Sequence, residues 1–181
     1  MIKKTLTILV VIVMLVFNAS GCSAKTLEED QAVLEKYCAI LQEKAREYSV
    51  ELVIEPIRDD GEGGRVIDAD VKLENIHIVI ALYRKHWNKL VFVIRCIYFE
   101  ARKIDRAETI LLSFSNPIST RQFQKEDLQE FMKDDTNITQ DTEVALMKAK
   151  YFDFEGFEGI IYENQKMAGF EVLGIMGKLK P

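Results

Sequence analysis

Two carboxylates, Asp68 and Asp70, stand two residues apart in a stretch that alternates apolar and polar from Arg65 to Glu74. In a strand this spacing puts both on one face about 7 Å apart, close enough for an acid–base pair to act on a sugar linkage. Lys72 and Glu74 continue the same row, which equally describes the wet face of a sheet. The histidines His77 and His86 and the cysteines Cys38 and Cys96 contain the elements of a thiolate–imidazole pair. No nucleophile signature surrounds either cysteine, and no Cys/His spacing matches a zinc ligand set. Asp59, Asp60 and Glu62 lie in a Gly-rich turn without the spacing of a calcium loop. Gly61-Glu62-Gly63-Gly64 precedes a strand rather than a helix, so it lacks the context of a phosphate loop. These patterns call for no cofactor and no metal.

Charge offers a second kind of chemistry. Between Arg84 and Arg106 there are seven basic residues and two acidic ones, with Trp87, Phe92 and Phe99 interleaved. Arg84, Lys85, Lys89, Arg95 and Lys103 are the candidate contacts to anionic headgroups, worth ~1 kcal/mol per basic residue near such a surface, or to an acidic protein partner. Pairing with the protein's own acidic faces is the structural alternative. The chain as a whole has a net charge of −5, which argues against a dedicated nucleic-acid binder.

The most specific signal lies at the N-terminus. Lys3 and Lys4 precede an apolar run from Leu6 to Phe17, broken only by Thr7 and followed by Asn18-Ala19-Ser20-Gly21-Cys22. The run is shorter than the ~20 residues a helix needs to span a bilayer and has the length of a signal-peptide core. Small residues at Ala19, Ser20 and Gly21 directly before Cys22 suit a narrow protease cleft. This order of features resembles the bacterial lipoprotein precursors, although Ala19 stands where leucine is commoner. The resemblance covers residues 1–22. It implies that the Cys22 thiol is acylated and that the chain is cut before it, and it says nothing about the domain that follows. Acyl chains at Cys22 anchor firmly, at about 0.8 kcal/mol per buried CH₂.

On this reading residues 1–21 are a signal peptide, 22–26 a short tether and 27–181 a single domain. Removing 1–21 takes away two lysines and no acid, so the net charge of −5 becomes −7. Cys38 and Cys96 sit among apolar neighbours and are expected as buried thiols rather than a bridge.

The elements that position these residues follow from periodicity. Thr26 and Glu29 form a capping box, opening a helix to about Tyr48 with Leu27, Leu34, Cys38, Leu41, Ala45 and Tyr48 on one face. Strands are expected at Val50–Ile57 and Arg65–Glu74, the second amphipathic. From Ile76 to Ala101 the apolar residues step by three and four, which predicts a helix from about Val79 to Lys103. Its richness in Val, Ile and aromatics leaves a hairpin as the alternative. Glu108–Ser115 is expected as a strand, Lys125–Lys133 as a helix, Asp134–Asp141 as a loop and Thr142–Ala149 as a turn of helix. Strands at Lys150–Phe154, Gly159–Tyr162 and Met167–Met176 complete the chain, the last two joined by a hairpin turn at Glu163–Lys166. The order α-β-β-α-β-α-β-β predicts a two-layer α+β fold, helices packed on a mainly antiparallel sheet. The expected function is a non-catalytic binding or assembly module, lipid-anchored on a bacterial membrane and facing the periplasm or the exterior. Its partners are then the membrane, through Cys22, and an envelope protein. A hydrolase using Asp68 and Asp70 is the alternative.

Overall fold

The computed structural model describes residues 29, 31–59, 65–85, 89–99, 103–153 and 158–181. Helix α1 covers 31–47. Leu34, Tyr37, Cys38, Leu41 and Ala45 recur at intervals of three and four and are all buried. Ser49, with φ at 59°, turns the chain out of the helix. Two short strands, β1 (Val53–Ile54) and β2 (Arg58–Asp59), then pair side by side along the outer edge of β3 (Arg65–Leu73). The sheet continues through β4 (Ile76–Lys85) and β5 (Lys89–Tyr98). Two helices, α2 (Ile104–Ser115) and α3 (Lys125–Lys133), interrupt it before β6 (Ile138–Asp141), β7 (Leu146–Asp153), β8 (Glu158–Gln165) and β9 (Phe170–Lys178).

All nine strands join one antiparallel sheet in the order β1-β3-β4-β5-β9-β8-β7-β6, with β2 beside β1 on β3. The last strand therefore lies between the first hairpin and the C-terminal meander. One face of the sheet carries the core. Ile80, Ile94, Ile175 and Ile160 stand in register across four adjacent strands, each 0% exposed. Leu34 and Leu41 of α1, Ile110 and Phe114 of α2, and Leu128 and Phe131 of α3 join the same buried cluster, so the helices cover that face. The chain is thus an α+β fold of helices on an antiparallel sheet.

The expected element order differs in several places. Residues 76–98 form the hairpin and not a helix, because β4 and β5 are interior strands flanked on both sides. Apolar residues then serve both faces, and the run loses its alternation. Conversely, 104–115 is a helix. Ile110, Leu112 and Phe114 alternate, but Ala107, Leu111 and Phe114, at steps of four and three, are the apolar residues buried with Ile110. Residues 146–149 are strand rather than helix, and the expected loop at 134–141 holds a 3-10 turn (Asp135–Asn137) and β6. The β8–β9 turn falls at 166–169, where Gly169 takes φ +72°. Of the expected strand at 50–57, only Val53–Ile54 pairs. The helix at 125–133 appears as expected, capped by Gln124 and Asp127. Thr26, and with it the first capping box, lies outside the described residues.

Candidate functional site

The hairpin disperses the basic residues that the helix reading gathers. Arg95 is central, exposed, on the sheet face that none of the described helices covers, paired in register with Val79 and Gly174. Arg84 stands near the far end of β4, half-buried and engaged with neighbouring groups. Lys85 and Lys89 are the terminal backbone pair of the hairpin. Lys103 lies at the opposite end, immediately before α2. Arg84 and Lys103 are thus divided by most of a ten-residue strand, about 25–30 Å. His86, Trp87 and Cys22 lie outside the described residues.

Lys103 lines a cleft of about 420 Å³ with Lys72, Glu74, Asn75, Ile76, His77 and Phe99. Glu74 and Asn75 form the tight β3–β4 turn, and Glu74 takes the left-handed φ of 56°. Arg106, from the first turns of α2, holds the Glu74 carboxylate at 3.1 Å. Phe99 is 65% exposed, its ring 6.3 Å edge-on from that of Phe170. Lys72 and Lys103 make no ion pair among the described residues. Two free ammonium groups beside an exposed ring can hold a small anion with a flat apolar part.

Asp68 and Asp70 do share a face of β3, on the side away from the helices. Each has a separate basic side chain as its partner. The Arg58 guanidinium grips Asp68, and His77 Nε2 lies 2.8 Å from Asp70 Oδ2. The two carboxylates are therefore held by separate partners rather than as one dyad, and neither lines the cleft beside them.

The buried polar groups come from elements the periodicity misassigns. Glu108 packs inside the α2–α3 contact, and burial pushes its carboxyl above the ordinary value against the pull of Lys125 and a hydrogen bond from Gln129. Its Oε2 and the Tyr98 hydroxyl are buried oxygens without a hydrogen-bond partner among the described residues. Burial likewise raises the Tyr98 phenol. Lys148, also buried, donates from Nζ to the Met132 carbonyl at 3.1 Å. Cys38 and Cys96 are both free and buried. Burial pushes the Cys38 thiol up to about 11 and raises that of Cys96 as well. Such thiols are inert compared with an activated nucleophile.

Among the described residues no helix is long and apolar enough to cross a membrane, and no three of His, Cys, Asp and Glu gather as a metal site. Comparison with protein-family models, with curated proteins and with solved structures finds no match to this chain.

Proposed function

We propose that this protein is a lipid-anchored, non-catalytic binding module held at a bacterial membrane by acylation of Cys22. The observation that supports this reading is where the chain enters the domain. Tyr37, in the second turn of α1, donates its hydroxyl to the Lys180 carbonyl. The adjacent Leu179 N–H donates to the Leu90 carbonyl at 2.9 Å, and Leu90 pairs with Arg84. The start of α1 is thus at the end of the sheet where β4 runs out at Lys85 and β5 begins at Lys89. Six residues lie between Cys22 and residue 29, a reach of at most ~25 Å over the seven steps. An acylated Cys22 keeps this end of the domain, with Arg84, Lys85 and Lys89, near the headgroups. Arg95 and Lys103 are then free for other contacts. The hydrolase alternative has no comparable support, because Asp68 is tied to Arg58 and Asp70 to His77.

The test is metabolic labelling with an alkyne fatty acid in a bacterial host. Wild-type protein is expected to carry label and to run at the cut mass, whereas Cys22→Ala is expected unlabelled and uncut. Wild-type protein without label overturns the proposal.

A further inference from the structure

The face of the sheet opposite the helices is apolar at its centre. Val79, Val93, Ile97, Ile161 and Met176 project there, each half-buried by its strand neighbours and none belonging to the core. Tyr151 joins them at 52% exposure. Six strands, β3 to β5 and β7 to β9, each eight to ten residues long, make up this face. At ~4.8 Å between strands and ~3.3 Å per residue it measures about 800 Å², the area each partner contributes to a standard stable interface.

Its charges are arranged in a particular way. Near the β3 edge, Asp68 and Asp70 are already engaged, by Arg58 and His77 respectively. Two groups nearer the middle are not matched. Arg95 on β5 makes no ion pair among the described residues, and its stem lies over Gly174, whose missing side chain leaves room for it. Glu163 on β8 points to the same side and, among the described residues, accepts only a neutral hydrogen bond, from the Gln165 amide. Arg95 pairs with Gly174 and Gly174 with Ile161, two residues short of Glu163. Their Cα atoms therefore sit about 12 Å apart, and the two side chains make no ion pair with each other within the chain.

The geometry points to a second copy of this chain as the occupant of the face. A two-fold axis lying in the interface and bisecting the Arg95–Glu163 line passes over β9 near Val172 and Gly174. About that axis each Arg95 falls on the other copy's Glu163, and each Glu163 on the other's Arg95, as an isologous contact requires. The apolar residues between them then face one another and leave water.

Light scattering on the full chain in mild detergent, with the detergent mass subtracted, tests this. The wild type is expected to be a dimer, and so is Cys22→Ser, since the contact does not involve the lipid. Arg95→Glu and Glu163→Arg are each expected to weaken self-association about ten-fold or more, by setting like charges opposite each other. The double variant Arg95→Glu/Glu163→Arg is expected to regain the dimer. Circular dichroism identifies any variant that is monomeric because it fails to fold, and the double variant then decides the matter. A monomeric wild type up to its solubility limit overturns the proposal. So do single reversals that stay dimeric, a folded double variant that stays monomeric, or association only with a different protein.

Discussion

Glu108 and Lys125 face each other across the packing of α2 on α3, Oε2 3.6 Å from Nζ, but only the acid is inside: its side chain is 3% exposed and that of Lys125 41%. The lysine keeps its hydration while the carboxylate gives up most of its own, so the pair does not offset the cost of burying the charge. The folded state accordingly holds the Glu108 proton to a higher pH than the unfolded chain does. The stability this confers is complete below the ordinary glutamate range and is lost as pH rises through the raised value. Glu108→Gln keeps the shape and removes the charge. It is expected to be more stable than wild type at neutral pH, with the difference shrinking as pH falls through the carboxylate range. Urea unfolding midpoints across pH measure this, and a difference that does not change with pH contradicts it.

Ile94 lies at the centre of the isoleucine row, between Ile80 and Ile175. Ile94→Ala is expected to cost ~2–5 kcal/mol, because the packed strands on either side cannot close the void. Val93→Ala, one residue away on the other face, is expected to cost about 1 kcal/mol or less, since its methyls are already partly wet. Equal losses in urea unfolding at the two positions contradict the assignment of faces.

How far the sequence reveals this fold depends on which faces each element buries. The amphipathic strand at 65–73 and the helix at 125–133 each bury one side, and the alternation and the three–four spacing read through directly. The hairpin at 76–98 has apolar residues on both sides and imitates a helix. Helix α2 buries Glu108 among its apolar residues, which blurs its periodicity and hides the acid. For the candidate site, Lys103 was legible as a basic residue, but its partners were not. Lys72 reaches the cleft from β3, Glu74 from a left-handed turn, and Phe99 from the end of β5, and no local pattern links them. The separation of Arg95 from Arg84 and Lys103 follows only once the hairpin is known.

Two glycines separate steric from conformational cost. A Cβ at Gly159 lies 2.4 Å from the Lys150 carbonyl oxygen, which is backbone of the neighbouring strand and cannot swing away. Gly159→Ala is expected to destabilise by ~1–3 kcal/mol or more through displacement of β7 from β8. At Gly169 a Cβ meets open space, but φ is +72°, so Gly169→Ala costs ~1–2 kcal/mol and Gly169→Asn less, since asparagine adopts this conformation readily. Thermal melts of the three variants check the ranking, and a Gly159→Ala protein as stable as Gly169→Asn contradicts it.

Both interior thiols are raised by burial, so few are ionised at mildly alkaline pH, and both are buried, Cys96 completely. A colourless disulfide reagent is expected to leave Cys38 and Cys96 unmodified in the native protein and to titrate both once urea unfolds it. Rapid modification of Cys96 in the folded state contradicts the packing of β5 beneath α2.

The position of β9 governs the order in which this chain can become safe from aggregation. During synthesis β5 presents ten residues rich in Val and Ile, and its second sheet partner, β9, is made only after α2, α3 and three further strands. Until β9 arrives, two unfinished sheets coexist, each with an open hydrogen-bonding edge that a foreign strand can occupy. The closing contact also spans a long sequence separation, which slows it relative to the local hairpins. A chain shortened by its final strand keeps most of its hydrophobic residues and loses the single piece that seals them, so C-terminal truncation yields insoluble protein rather than a smaller working domain.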